Sequence, residues 1–340
     1  MPGPIQPETP PPASGPVGTD NPAPPTIPDH ELLRRIGGGS YGEVWLARNV
    51  LGEFRAAKVV NRRTFGQDRP YEREFEGIKK YEPVSRTHDS QVDILHVGRN
   101  DQSGYFYYVM ELADAAEPQV SGFKFQVSSS GSPAIGQPET RNLKPETYTP
   151  RTLKHDVHSH GRLPFEECLQ IGLALTTALD HLHKHDLVHR DVKPSNIIFI
   201  NGIPKLADIG LVTDIGEANS LVGTEGYMAP EFPGTPQADL YSLGKVLYEI
   251  SMGRKGQVFP ELPPDWDELA EKESLLELNE VILKGCQADL RVRYQSAREM
   301  HADLAVLQSG KSVKRLHAVE RRLALLTRMG VLMAVFGVIA

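Results

Sequence analysis

The stretch His189-Arg190-Asp191-Val192-Lys193-Pro194-Ser195-Asn196 places a carboxylate, an ammonium group and a side-chain amide within eight residues. Apolar residues recur at helical spacing ahead of it, which predicts a buried helix over residues 171–184 that delivers the stretch to a cleft. Behind it, two apolar runs flank Asn201-Gly202, a strong hairpin signal, and predict strands at 197–200 and 203–206. The sequence therefore predicts a polar loop between a helix and a hairpin, followed closely by a second acid, Asp208.

Composition limits the class of protein. The chain has 340 residues, of which 39% are hydrophobic, enough for one large two-lobed domain with tails. A net charge of −7 argues against a nucleic-acid-binding protein, which would normally show a basic face. Cys168 and Cys286 are the only cysteines, and each lies in an apolar helical pattern. This argues against a disulfide framework or a CxxC metal site and fits a reducing compartment.

The N-terminal segment, residues 1–28, contains 11 prolines and no apolar run. It is predicted to be a disordered, partly polyproline extension. The segment has neither the basic start nor the apolar core of a signal peptide. Pro10-Pro11-Pro12 is open to two interpretations, a plain linker or a docking motif.

A glycine-rich stretch, Ile36-Gly37-Gly38-Gly39-Ser40-Tyr41-Gly42-Glu43-Val44, lies between alternating apolar patterns and predicts two strands joined by a turn. Glycine lets backbone N–H groups approach phosphate oxygens without a Cβ in the way, although a flexible hairpin is the alternative. The next apolar strand carries Lys58, which needs an anionic partner if it is buried and none if it lies on an exposed edge. Glu74 in the following helix is the predicted partner, and Glu76 is its rival.

Further along the chain, residues 92–97 and 105–112 are predicted to be strands around a turn at 100–104. Residues 114–150 break the pattern, and we interpret them as a surface insertion without chemistry. A helix is predicted to begin at Asp239 and end near Gly253, and residues 273–307 are helical in pattern.

These motifs occur in the order found in the protein kinase superfamily, which the sequence resembles from His30 to about Leu307. The likeness is particularly to bacterial membrane-anchored Ser/Thr kinases. It implies an α+β fold with a small antiparallel β-sheet lobe containing one main helix (29–112), the insertion (114–150) and a larger, mostly helical lobe (151–308).

The resemblance implies roles for the site residues. Asp191 would orient the substrate hydroxyl and accept its proton, and Lys193 would neutralise charge on the transferring phosphoryl group. Asn196 and Asp208 would hold Mg²⁺. The residues implied to bind ATP are Ile36, Gly37, Gly39, Gly42, Val44, Ala56, Lys58, Glu74, Met110 and Glu111, with Met110 at the back of the pocket and Glu111 in the hinge.

The resemblance also implies scaffold and control residues. Glu231 and Arg293 would form an ion pair that supports the large lobe, and Asp239 would brace the backbone of the catalytic loop. Ile209 stands where the family usually has Phe, which puts the sharpness of switching in doubt.

An Arg directly before Asp191 suggests control by phosphorylation, for which Thr213 and Ser220 are the candidate sites. Thr224 is expected to contact the catalytic loop instead.

The C-terminal tail combines a basic segment, 309–328, with an uncharged apolar run, 329–340. As a helix, this run would rise only about 18 Å, short of the ~30 Å hydrocarbon core of a bilayer. A buried helix is one interpretation. The basic flank favours the start of a transmembrane helix, which would tether a cytoplasmic kinase domain to the inner (cytoplasmic) membrane as a single-pass protein.

The expected function is ATP-dependent phosphorylation of protein Ser/Thr hydroxyls, in signal transduction from the membrane and with autophosphorylation through self-association. Its partners would be ATP, protein substrates and the membrane, but not nucleic acid. A pseudokinase scaffold that binds nucleotide without transfer is the alternative, supported by Ile209 and the long insertion. A small-molecule phosphotransferase is disfavoured by residues 223–231, which form a peptide-binding ledge in protein kinases.

Overall fold

A computed structural model describes residues 25–39, 42–65, 68–116, 143–209, 213–214, 223–231 and 234–319. The expected extension up to residue 24, the candidate Ser220 and the apolar run 329–340 lie outside these ranges. The strands are β1 (His30–Gly39), β2 (Gly42–Asn49), β3 (Phe54–Asn61), β4 (Ile94–Asn100), β5 (Tyr105–Met110), β6 (Leu187–Val188), β7 (Ile197–Ile200), β8 (Ile203–Leu206) and β9 (Thr213–Asp214). The helices are α1 (Asp68–Ser85), α2 (Leu153–His160), α3 (Phe165–Lys184), α4 (Pro236–Met252), α5 (Lys272–Gly285) and α6 (Ala297–Gln308).

The small lobe is a five-stranded antiparallel sheet in the order β1-β2-β3-β5-β4. Strand β5 is buried along its whole length because both of its faces are covered. Phe106, Tyr108 and Met110 belong to one apolar cluster, which also contains residues of α1, whereas the alternate residues Tyr105 and Tyr107 belong to a second cluster. The predicted helix between β3 and β4 is confirmed, and the strands predicted at 92–97 and 105–112 are observed as β4, which begins two residues later and continues to Asn100, and β5, which ends at Met110.

The small lobe begins before the predicted boundary at residue 29. Ile27 is buried in the second cluster, and the backbone carbonyl of Thr26 accepts a hydrogen bond of 2.8 Å from the hydroxyl of Tyr105. The end of the segment predicted to be disordered is therefore packed on the sheet, because Ile27 buries an apolar side chain there.

In the large lobe, α3 extends six residues beyond the predicted start, from Phe165, and buries Cys168 and Leu169. Helix α4 begins at Pro236 rather than at Asp239. Thr235 caps it by accepting a hydrogen bond from the N–H of Ala238 (3.2 Å). The helix ends at Met252 and is capped by Gly253, whose φ of 66° is left-handed, in agreement with the predicted end near Gly253.

The helical pattern at 273–307 is divided into α5 and α6 by a loop that contains Arg293. The Arg293 side chain is fully buried, donates to the carbonyl of Gln287 (2.7 Å) and pairs with both carboxylate oxygens of Glu231. The large lobe thus contains the ion pair that the resemblance implied. The helical pattern predicted at 273–307 is thus interrupted between Gly285, where α5 ends, and Ala297, where α6 begins.

The hairpin of β7 and β8 has the predicted register, with Ile200 paired to Ile203. Asn201 and Gly202 have φ values of 52° and 75°, the left-handed conformation that a two-residue hairpin turn requires. The carboxylate of Asp114, just beyond the hinge, accepts the N–H of both turn residues at 2.8 Å. The hinge is therefore attached directly to this hairpin.

Every helix within the described ranges is too short or too polar to cross a membrane.

Candidate active site

A cleft of about 320 Å³ lies between the two lobes, within the size range of small-molecule sites. Predicted site residues that line it are Ile36, Gly37, Gly42, Val44, Ala56, Lys58, Met110, Glu111, Lys193, Asn196 and Asp208. Of the others, Gly39 ends β1 and pairs with Gly42, and Glu74 and Asp191 lie directly beside lining residues. The structure thus brings the sequence-predicted residues of both lobes to one place.

Lys58 on β3 is buried between two carboxylates. Its Nζ contacts the carboxylate of Asp208 directly and lies 3.8 Å from Oε1 of Glu74. Burial acts to lower the pKa of Lys58, but Asp208, Tyr108 and Glu74 together outweigh it and raise that pKa above its usual value. Lys58 is therefore a permanent cation at the cleft, the kind of group that phosphate oxygens require.

Glu74 is the acid that faces Lys58, whereas Glu76 pairs with Lys79 on the exposed side of α1. Glu74 is buried, and neither of its carboxylate oxygens has a hydrogen-bond partner in the described part of the chain. Burial raises the pKa of Glu74 to about 7. Glu74, rather than Glu76, is therefore the residue of α1 that faces Lys58, because it lies on the face of the helix that packs on the sheet.

The position of α1 is fixed by ion pairs that the sequence analysis missed. Arg99 on β4 donates to both carboxylate oxygens of Glu72, at 2.6 and 2.8 Å, and Arg62 approaches the same carboxylate at 3.3 Å. A bidentate pair restrains both distance and orientation. These contacts lie two residues from Glu74 and hold its helix against the sheet.

Asp191 is surrounded by three donors. Its Oδ2 accepts from Lys193 Nζ (2.6 Å) and Asn196 Nδ2 (2.9 Å), and its Oδ1 accepts from the hydroxyl of Thr224 (2.7 Å). A carboxylate has about four acceptor positions, so Oδ1 retains one for a further hydrogen-bond donor. The carboxylate is thus oriented, and one acceptor position is left for a substrate hydroxyl.

The backbone of the catalytic loop is held by Asp239 on α4. Its two oxygens accept the N–H groups of His189 and Arg190, each at 2.8 Å, and one of them also lies 2.9 Å from His183 Nε2. Burial acts to raise the pKa of Asp239, but these partners lower it below its usual value. Arg190 has a φ of 71°, so the brace fixes a backbone conformation that non-glycine residues rarely adopt.

Asn196 and Asp208 supply oxygen donors suited to Mg²⁺. The Nδ2 of Asn196 donates to the carbonyl and the carboxylate of Asp191, both at 2.9 Å, which leaves its Oδ1 as an acceptor. Hard divalent cations prefer such amide and carboxylate oxygens. The donor set therefore fits the predicted metal.

Two predicted glycines differ in why they are needed. A Cβ at Gly42 would lie 2.6 Å from the carbonyl oxygen of Val59, so β3 itself requires glycine there. A Cβ at Gly37 would meet Val44 only at an ordinary 3.6 Å, which leaves close approach to a ligand as the explanation at that position.

The segment just before α2 contributes residues that the sequence analysis did not assign. Tyr148 and Pro150, at the end of the predicted insertion, line the cleft together with Thr152. The interpretation of the insertion as a surface segment without chemistry was therefore incomplete. The available signal was an aromatic residue, Tyr148, two residues before Pro150 and four before the α2 cap, Thr152.

Ile209 is buried in the apolar cluster that contains Ile78 and Tyr81 of α1. An aliphatic side chain thus occupies the position between Asp208 and the helix of Glu74. Of the phosphorylation candidates, Thr213 lies in β9, whose backbone pairs with β6, and Ser220 is outside the described ranges. Thr224 contacts the catalytic loop, as expected.

Comparison with known proteins gives consistent matches. The sequence profile of the protein kinase domain matches residues 132–304, half of the chain. Serine/threonine-protein kinase PrkC of Bacillus subtilis is 27% identical over 302 residues, covering 81% of this chain and 40% of the relative. Serine/threonine-protein kinase PknB of Mycobacterium leprae is 28% identical over 313 residues, covering 85% and 44%.

A shorter match, 34% identical over 149 residues, is to serine/threonine-protein kinase PknG of Mycobacterium leprae and covers 42% of this chain and 19% of the relative. The chain spans about 40% of the length of the first of these relatives. With an antiparallel small lobe, a helical large lobe and a lysine, an amide and two acids converging on the cleft between them, the chain belongs to the protein kinase family.

Proposed function

We propose that this chain transfers the γ-phosphoryl group of ATP to Ser or Thr hydroxyls of proteins. The observation that carries the proposal is the convergence of Lys58 and Asp208 with the oriented Asp191 and Asn196 at one cleft. Phosphoryl transfer asks little covalent chemistry of a protein; it needs cations, positioned acceptors and alignment. Each of these is present.

The cleft supplies complementary surfaces for the two ends of ATP. Apolar side chains of Ile36, Val44, Ala56 and Met110 line one part and suit a purine base. Lys58 offers its ammonium group to the phosphates. Asn196 and Asp208 would hold Mg²⁺, which neutralises charge on the phosphate oxygens when bound.

The acceptor hydroxyl is handled by the catalytic loop. Asp191 accepts its hydrogen bond at the remaining position of Oδ1, aligns the oxygen for attack and takes up its proton. Lys193 donates hydrogen bonds to Asp191 and to Thr224 (2.8 Å). Its ammonium group would neutralise charge on the transferred phosphoryl group. Thr224 ties this loop to the ledge at 223–231, which would accept the peptide.

Two features of the relatives and the structure favour this function over a nucleotide-binding scaffold. The relatives named above are serine/threonine-protein kinases. Ile209 is buried in the apolar cluster that also contains residues of α1, so this position stays apolar without an aromatic ring. The presence of Ile209 is therefore compatible with phosphoryl transfer.

Location at the membrane and control by self-association are the finer parts of the proposal. The basic segment 309–328 and the apolar run 329–340 support a single-pass tether with the kinase domain on the cytoplasmic side. Autophosphorylation at Thr213 or Ser220 is proposed because Arg190 can pair with a phosphate. Flotation of the full chain with liposomes, compared with a chain ending at residue 319, tests the tether: equal flotation would contradict it.

The decisive experiment measures Mg²⁺-dependent transfer of phosphate from ATP to a Ser/Thr peptide library. The Asp191→Asn variant serves as the control, because it keeps the shape of the side chain and removes the proton acceptor. We expect transfer by the wild type and a loss of at least about a hundredfold in the variant, with nucleotide affinity retained. Nucleotide binding without transfer by the wild type would instead establish a scaffold.

A further inference from the structure

Residues 143–150, here called the hinge strap, lead from the insertion back towards α2 and pass the hinge of the cleft. Tyr148 in this strap is only 3% exposed and belongs to the same apolar cluster as Met110 and Leu112. Its hydroxyl donates a hydrogen bond of 2.9 Å to the carbonyl of Ala113. A tyrosine from a loop segment is thus built into the wall of the cleft.

The strap is attached at both of its sides. Backbone hydrogen bonds of 2.8 Å join Ala116 to Thr149 and Arg151 to Asp114, so the two ends of the insertion pair next to the hinge. On the other side, Nε of Arg34 on β1 donates to the carbonyl of Pro145 at 2.5 Å. The strap therefore contacts the sheet that carries the glycine-rich turn as well as the hinge.

The contact with Ala113 places Tyr148 at the part of the cleft next to the hinge. Tyr148 and Pro150 line the cleft with Glu111, Leu112 and Ala113, whereas Lys58 and Asp208 lie at the phosphate end. The Tyr148 hydroxyl also occupies one acceptor position of the Ala113 carbonyl. Burial raises the pKa of Tyr148, so the hydroxyl remains a donor at neutral pH.

We infer that Tyr148 is a specificity-determining residue for the nucleotide: its ring and its bond to Ala113 shape the subsite for the base and ribose, while contributing nothing to the phosphate subsite. This inference rests on the proposed use of the cleft for ATP. Packing against an aromatic wall contributes affinity through buried apolar area, which a nucleoside gains and an inorganic polyphosphate does not.

The test compares ligands that share only one end. Calorimetric titration of the full chain with ATP, adenosine and Mg²⁺-tripolyphosphate separates the nucleoside subsite from the phosphate subsite. For Tyr148→Ala we expect ATP and adenosine to bind at least tenfold more weakly and tripolyphosphate to bind within twofold of the wild type. Tyr148→Phe keeps the ring and loses only the hydrogen bond, so its affinity for adenosine should fall less than that of Tyr148→Ala.

Two further variants make the result unambiguous. Lys58→Met should show the opposite pattern, with tripolyphosphate weakened more than adenosine. Arg34→Ala removes the attachment of the strap to β1 without changing a residue that lines the cleft. It should weaken adenosine binding in the same direction as Tyr148→Ala, which keeps the test available if that variant does not fold.

Equal loss of all three ligands in Tyr148→Ala, or unchanged adenosine binding, would overturn the inference. A wild type that binds none of the three would instead refute the proposed function itself.

Discussion

Lys58 and Asp208 lie 150 residues apart in the sequence, yet the Nζ of Lys58 contacts the carboxylate of Asp208 across the cleft. The contact joins the small lobe to the large one at the phosphate end of the site. Burial acts to raise the pKa of Asp208, but Lys58 outweighs it and keeps that pKa below its usual value. Each residue thus favours the charged form of the other, with Lys58 buried and Asp208 partly exposed to the cleft.

Replacing Lys58 by Met should reduce phosphate transfer by about a hundredfold or more, because a preorganised cation at the phosphates is lost. Initial rates with Mg²⁺-ATP and a peptide substrate measure the effect. Lys79→Met is the matched control: Lys79 is an exposed lysine of the same lobe whose ammonium group pairs with Glu76 on the surface of α1. If both variants transfer phosphate at similar rates, the assigned role of Lys58 is wrong.

The pH dependence of stability should contain a contribution from Glu74. Its folded-state pKa of about 7 lies above the ordinary value of 4.5, so its contribution is fully present below about pH 4.5 and is lost as the pH rises through 7. Urea unfolding of the wild type and of Glu74→Gln at pH 5 and pH 8 measures this. Between pH 5 and pH 8, the wild type should lose roughly 2 kcal/mol of unfolding free energy relative to Glu74→Gln. A pH-independent difference would contradict the raised pKa.

Removal of Asp239 should destabilise the large lobe and disturb the catalytic loop. Asp239→Ala leaves the buried N–H groups of His189 and Arg190 without acceptors, each at a cost of about 1–3 kcal/mol. The urea midpoint of Asp239→Ala should lie below that of the wild type. The midpoint of Asp239→Asn, which keeps one acceptor oxygen, should lie between those of the wild type and Asp239→Ala. An alanine variant as stable as the wild type would show that water satisfies the loop.

The same aspartate predicts an effect of acid. Because the folded-state pKa of Asp239 is lowered, its contribution to stability is present above the unfolded value near 3.8 and is lost as the pH falls through the folded value. The stability advantage of the wild type over Asp239→Asn should therefore shrink below about pH 4. Unfolding free energies measured at pH 6 and in mild acid test the sign.

Breaking the ion pair between Glu231 and Arg293 should cost about 3–5 kcal/mol, because one buried charge is left without its partner. Arg293→Met and Glu231→Gln test this singly in urea unfolding. The double variant should be destabilised by less than the sum of the two, since neither charge remains. Strict additivity would mean that the pair does not couple.

The elements that depend on local chemistry were predictable from the sequence. Asn201-Gly202 fixed the register of its hairpin because few residues adopt two successive left-handed conformations. Helical spacing identified Glu74 on the same face as Ile78, and that face is buried on the sheet. The first prediction needed only the type of turn that Asn-Gly favours, and the second needed only the helical repeat of the apolar residues.

The predictions that were wrong or missing depend on contacts between distant parts of the chain. The helical pattern at 273–307 did not show where α5 ends: in the loop that follows, Val292 is 55% exposed and Arg293 is buried against Glu231. Similarly, nothing local to Tyr148 indicates that its hydroxyl reaches Ala113, 35 residues earlier. Periodicity could not distinguish these cases because the deciding partner is remote in sequence.

The backbone pairing of Ala115 with Pro150 has a practical consequence. The chain leaves the hinge and returns to it at this pair of residues, here called the neck. Asp114, next to the neck, accepts the hydrogen bonds of the hairpin turn. Loop-closure entropy grows only slowly with length, so residues added between the two sides of the neck should cost little stability. A reporter group could therefore be inserted between the two sides of this neck while Tyr148 and Pro150 keep their places in the wall of the cleft.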